Sequence, residues 1–101
     1  MGQRLELQAL LEELLGSENV YYQPPSNLVM QYPAIVYKKD DEDVDFANNA
    51  PYRRTVRWMV TVIDRDPDSD IPEKVAVLPM CLFSRRYIAS GLNHDVYNLY
   101  F

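Results

Sequence analysis

The chain is poor in the residues that build most small reactive sites. Of 101 residues, three are glycine, one is cysteine, one is histidine and one is tryptophan. Three glycines are too few for a phosphate-cradling loop, whose backbone must wrap closely around the anion. A single cysteine, Cys81, excludes an internal disulfide, and synthesis in a reducing compartment fits that usage. No apolar run approaches the roughly 20 residues needed to cross a bilayer. Glu6, Glu12 and Glu13 interrupt the N-terminal stretch, which therefore does not read as a signal peptide. Positive charge is also short: 10 Lys and Arg stand against 15 Asp and Glu, for a net charge of -5. Such a chain does not attract phosphate backbones, so nucleic-acid binding through a basic surface is not expected.

What is present is an ordinary globular composition, 48% hydrophobic and 25% charged, with 8 tyrosines. Length and composition bound the answer to one small domain over residues 1–101 with a single core. Its clearest element is Tyr52 to Asp64. Val56, Trp58, Val60 and Val62 alternate with Arg57, Met59, Thr61 and Ile63, the two-residue period of a strand with one strongly apolar face. Trp58 is its expected core anchor.

Gln3 to Leu15 reads as an amphipathic helix. Leu7, Leu10, Leu11 and Leu14 make one stripe, with Arg4, Gln8 and Glu12 turned away and Gly16 as the left-handed stop. Val20 to Gln23 is a short strand ended by Pro24 and Pro25. Ala34 to Lys38 is a strand opened by Pro33. Lys39 to Ala50 reads as a long acidic loop, a length that suggests function because hairpin connections are normally short. Asp70 with Glu73 three residues on reads as a capping box, with Pro72 in the first turn of a short helix ending before Pro79. Met80 to Ile88 is a strand with Cys81 and Phe83 on one side and Leu82 on the other. Ser90 to Asn93 is a turn, and Val96 to Phe101 an aromatic final strand that includes Asn98-Leu99-Tyr100-Phe101. The order predicts an α+β fold: a largely antiparallel sheet covered on one face by the N-terminal helix and a short second helix.

Several residues invite chemistry. Asp64, Asp66, Asp68 and Asp70 alternate as calcium ligands can, but a calcium loop needs glycine at its sixth position and glutamate at its twelfth. From Asp64 those positions hold Ser69 and Val75; from Asp66 they hold Ile71 and Val77. Neither register fits, and Asx-type turns with a helix cap are the better use of these carboxylates. His94 and Cys81 are a base and a nucleophile that strand pairing brings together in principle. Cys81 sits among Met80, Leu82 and Phe83, the setting of an inert core thiol. No catalytic, metal or cofactor site is expected.

The charges and tyrosines point to contacts instead. Arg53, Arg54 and Arg57 with Arg85 and Arg86 form a candidate basic stripe. Asp40, Asp41, Glu42, Asp43 and Asp45 form a candidate acidic complement on a neighbouring copy; two solvated surfaces are the equal alternative. Tyr21, Tyr22, Tyr37, Tyr52, Tyr87, Tyr97 and Tyr100 exceed what one small core absorbs, and tyrosine is favoured at interfaces.

Three strings carry a resemblance: Tyr32-Pro33-Ala34-Ile35-Val36-Tyr37, Val60-Thr61-Val62-Ile63-Asp64-Arg65-Asp66-Pro67-Asp68-Ser69, and Leu92-Asn93-His94-Asp95 before an aromatic strand. From about Tyr21 to Phe101 the chain resembles the tail completion, or tail terminator, proteins of long-tailed bacteriophages. The resemblance implies a small α+β structural subunit without enzyme activity or cofactor, located in the virion at the tail and neck after assembly in the host cytoplasm. It implies a homohexameric ring that caps the tail tube and offers the docking surface for the head connector. The implied partners are further copies of itself, the tail tube protein and neck proteins, with DNA only passing through the lumen and no membrane. An acidic lumen suits such a conduit, because carboxylates repel the phosphate backbone. On that view the Lys39–Ala50 segment projects toward the lumen or an adjacent ring. Three alternatives stand beside it. They are another neck adaptor, such as a head-completion or connector protein, a small metal- or cysteine-dependent enzyme, and a module that binds peptides at a sheet edge.

Overall fold

The computed structural model describes residues 3–25, 27–47 and 50–101, with backbone alone for Gln3, 41–47 and 50–55. Chain order is α1 (Gln3–Leu15), β1 (Val20–Tyr22), β2 (Ala34–Ala47), β3 (Ala50–Asp64), α2 (Ile71–Ala76), β4 (Cys81–Ala89) and β5 (Leu92–Tyr100). The strands form one five-stranded sheet in the order β1-β2-β3-β5-β4. Only β1 and β2 run parallel; the other three pairings are antiparallel. The fold is therefore α+β as the order of elements predicts.

The alternation in β3 decides where the core lies. Trp58, Val60 and Val62 share one face of the sheet with Ile35 and Tyr37 of β2 and with Tyr97 and Leu99 of β5, and all seven are buried. Leu7 and Leu11 of α1 and Ile71 and Val75 of α2 close over that face. Leu10 and Leu14 pack at its margin, as their stripe requires. Gly16 takes φ 79° and gives its N–H to the Glu12 carbonyl at 2.9 Å, which stops α1 in the left-handed region where a side chain is strained.

Gln8 does not face away as the helical stripe suggests. Its Nε2 donates to the Val20 carbonyl at 3.0 Å, and its Oε1 accepts from the Tyr37 hydroxyl. Arg4 stacks its guanidinium 4.9 Å from the Tyr22 ring. The flank of α1 overhangs β1 at the sheet edge, so residues opposite solvent in a helical projection meet tyrosine tips. Tyr22, Tyr37 and Trp58 form an aromatic cluster beneath it, with centroids 5.1 to 6.3 Å apart.

The segment Lys39–Ala50, expected as a loop, is strand over its described residues, 39–47 and Ala50. β2 runs on to Ala47 and pairs with β3 as far as Ala47 opposite Ala50. Acidic composition argued for a loop because Asp is depleted in strands. The ribbon tolerates it, since its partner strand brings Arg53, Arg54 and Arg57 into register. β5 pairs with β3 only from Arg57 to Asp64, so beyond Val56 the two strands continue as a two-stranded arm. The arm makes the molecule long, 51 Å against 24 and 23 Å.

Two strand starts and one helix cap also differ for local reasons. Met80 sits at φ 60°, outside strand geometry, so β4 begins at Cys81. Ser90 and Gly91 have φ 54° and 74°, the signature of a two-residue hairpin turn, so β5 starts at Leu92 rather than Val96. The capping box is absent: Asp70 is itself helical and its side chain makes no cap hydrogen bond. The Ser69 hydroxyl accepts the Ile71 N–H at 3.3 Å instead, and Asp70 pairs loosely with Lys74 at 3.8 Å.

Candidate functional site

The aspartates after β3 are used by the backbone. Asp64 accepts the N–H of Asp66 at 3.0 Å, and Asp66 accepts that of Asp68 at 2.9 Å, two successive Asx turns. They border a shallow cavity of about 360 Å³ that Asp95, Glu73 and Arg86 also line. Among the described residues no three metal-ligating side chains are grouped to hold an ion.

Cys81 and His94 are not brought together. Cys81 pairs with Leu99 at one end of β4, and His94 pairs with Tyr87 at the other. Counting along β5, Leu99 shares the core face and His94 the opposite one. Burial pushes the Cys81 thiol above its usual range, away from the reactive thiolate. His94 lies flat against Tyr87, centroids 4.6 Å apart at 11°, and its Nδ1 sits 3.0 Å from the Leu92 carbonyl.

The five arginines do not form one stripe. On β3, Arg57 is separated from Arg85 and Arg86 of β4 by β5, and Arg53 and Arg54 lie further out along the arm, beyond the end of β5. A register shift at Ser84, between Phe83 and Arg85, is a β-bulge. It sets Arg86 opposite Asp95 on the core face. There Arg86 Nε donates to Asp95, a carboxylate only 4% exposed. That hydrogen bond and the charge of Asp95 push Arg86 further up its already high range. Arg85, on the other face, stacks 5.4 Å from the Tyr87 ring.

The acidic run lies beside its basic complement within the same chain. The register sets Asp41 opposite Arg57, Val44 opposite Arg54 and Asp45 opposite Arg53. Arg57 Nε donates to Asp40 at 3.0 Å. The side chains of Asp41, Glu42, Asp43, Asp45, Arg53 and Arg54 lie outside the described residues, as does that of Tyr52. The tyrosine surplus also shrinks, because Tyr37 and Tyr97 are core residues and Tyr22 packs against them. Burial raises both core phenols above the ordinary value of 10.0. Tyr97 additionally donates to the Pro72 carbonyl at 3.1 Å, which ties α2 to β5.

The surface that does stand out is β4. Every residue from Leu82 to Ala89 is exposed, including Leu82 at 62%, Phe83 at 57% and Ile88 at 72%. Met80 and Val77 beside it are exposed as well. Its inner edge pairs with β5; no described strand pairs with its outer edge. A long apolar edge strand with unpaired backbone groups is a template for another strand, which proteins normally blunt unless it is used. The sequence signal was there, in an apolar run on both faces of β4, but it reads equally as a buried strand. Only the sheet order makes it an edge.

No protein-family model matches this chain, and no curated protein does. No described helix is long and apolar enough to cross a membrane.

Proposed function

We infer that the chain is a structural subunit that works by assembling with copies of itself and with neighbouring proteins. Its place is the neck of a long-tailed phage particle, as a tail terminator that caps the tail tube and receives the head connector. The observation that carries the assembly part is the open, apolar edge of β4. Nine residues of strand with three large apolar side chains half or more exposed form a poor solvent surface and a good docking edge. The arm built from the distal halves of β2 and β3 supports the same reading. A two-stranded ribbon is marginal in water by itself, and contact with a partner stabilises it. The phage assignment rests on the three sequence strings, which fall on β2, on β3 with the Asx turns, and on the start of β5.

Electron microscopy of the protein mixed with purified phage tail tubes tests the reading. Rings seated on tube ends support it. Binding to heads with none to tubes would move the protein to the head side of the neck, as a completion or connector subunit. Binding to neither, with capture of extended peptides along β4, would make it a strand-adding recognition module instead.

A further inference from the structure

We propose that β4 of one copy docks as an antiparallel strand on the outer edge of β2 of a second copy, along Lys39–Ala47. This rests on the reading of the chain as a self-assembling subunit and names the contact it uses.

Besides three-residue β1 and the distal side of β3, which carries Arg53 and Arg54 and would meet the arginines of β4 with like charge, two long edges of the sheet are open. One is the outer side of β4. The other is the outer side of β2 beyond Tyr37, because β1 pairs only with Ile35, Val36 and Tyr37. Each offers a row of backbone donors and acceptors without a described partner strand. Direction fits. β2, β3, β5 and β4 alternate along the sheet, so β4 runs opposite to β2. A neighbour in the same orientation therefore presents its β2 antiparallel to β4, and the alternation continues across the junction. Level fits with a shift. Through β5 and β3, Cys81 lies at the height of Lys39, so β4 occupies the height of the proximal half of β2. Docking on the distal half staggers the copies along the strands, as closed sheets of tilted strands require.

Charge selects this pairing over the obvious rival. β4 carries Arg85 and Arg86 and no carboxylate, whereas Lys39–Ala47 carries Asp40, Asp41, Glu42, Asp43 and Asp45 against one lysine. Two β4 strands meeting antiparallel about their centre would set Arg85 against Arg85, and like charges directly opposite are destabilising. Two β2 edges would set carboxylates against carboxylates. Among pairings that use the apolar β4 edge, the contact with β2 joins opposite signs, and it is heterologous, the kind that closes a ring or extends a filament.

Sedimentation velocity over a concentration series reads the contact. Arg85→Glu and Asp43→Lys should each weaken self-association by roughly tenfold or more, and the double variant should restore it to within about threefold. Asp68→Lys, which makes the same charge change as Asp43→Lys away from both edges, should leave association unchanged. Circular dichroism melts should match the parent for every variant. Association insensitive to the single reversals overturns the proposal. So does a double variant that is not restored, equal weakening by Asp68→Lys, or a parent chain that stays monomeric at hundreds of micromolar. Microscopy of the same variants with tail tubes separates the two claims. Normal rings on tube ends from Arg85→Glu would remove this contact and leave the tail-terminator reading standing. Absence of tube binding by a parent chain that self-associates through these edges would do the reverse.

Discussion

The two halves of β3 carry the same alternating pattern and live in different surroundings. From Trp58 to Asp64 the strand has β2 on one side, β5 on the other and two helices above its apolar face. From Ala50 to Thr55 β2 is its one neighbour among the described strands. The proximal half buries Trp58, Val60 and Val62 almost completely. The distal half forms a ribbon whose hydrogen bonds are backed by no described core. A strand pattern thus licenses a strand, but what the strand is worth depends on how many neighbours it acquires. The same lesson separates the two strands beside β3 and β5: β5 is interior and β4 is edge, although both are nine residues of mixed apolar and polar sequence.

The comparison breaks most sharply at Trp58. It is 2% exposed in the aromatic cluster, and its indole N–H has no hydrogen-bond partner among the described residues. Trp58→Ala should cost about 3–5 kcal/mol through lost burial and a large cavity. Chemical denaturation would detect it, and a loss under about 1 kcal/mol would show that the proximal half is not the anchor. Hydrogen exchange sharpens the contrast next. Amides of the arm should exchange roughly tenfold or more faster than those of the β3–β5 ladder, about 1.4 kcal/mol or more of difference in opening free energy. Equal protection would mean that the arm shares the cooperative unit. Gly91→Ala should cost about 1 kcal/mol, because φ 74° strains a side chain even though nothing crowds the added methyl. A thermal melt reports that directly.

Titration gives a subtler probe of the covered face. Tyr37 and Tyr97 hold their protons more tightly folded than unfolded, since burial raises both above 10.0. Their contribution is intact below pH 10 and is lost as pH rises through the folded values. Stability should therefore fall on the alkaline side of pH 10, and less so in Tyr97→Phe, measured by denaturant midpoints across that range. The smallest effect belongs to the open edge. Leu82→Lys replaces a side chain that is 62% exposed and should change monomer stability by less than about 0.5 kcal/mol. A much larger loss would mean that β4 contributes to the core.

Much of the fold was legible in the chain because side-chain periodicity is local. The leucine stripe of α1, the strand character of β3 and the Asx turns from Asp64 to Asp68 all follow from residues within a few positions of one another. Structure departs from local pattern where a residue's role depends on something distant. Gln8 turned inward because α1 overhangs β1, and Asp70 left its capping role to Ser69. The arm reads as a loop in sequence because its acidic residues lack strand propensity, and only its partner strand compensates them. The arginines read as one stripe in sequence, whereas β5 separates Arg57 from β4 and the arm carries Arg53 and Arg54 beyond it.

The sequence by itself determined that the protein is a small acidic α+β chain with an N-terminal helix, a long apolar-faced strand and an aspartate run that misses both calcium-loop registers. Those properties follow from composition and from repeats of 2 and 3.6 residues, which every segment expresses without knowing its neighbours. Tertiary structure alone decided which strands are interior and which are edges, that the acidic run pairs with Arg53–Arg57 inside one hairpin, and that the apolar residues of β4 remain uncovered. Strand order is set by contacts between residues far apart in sequence, and no local pattern encodes it.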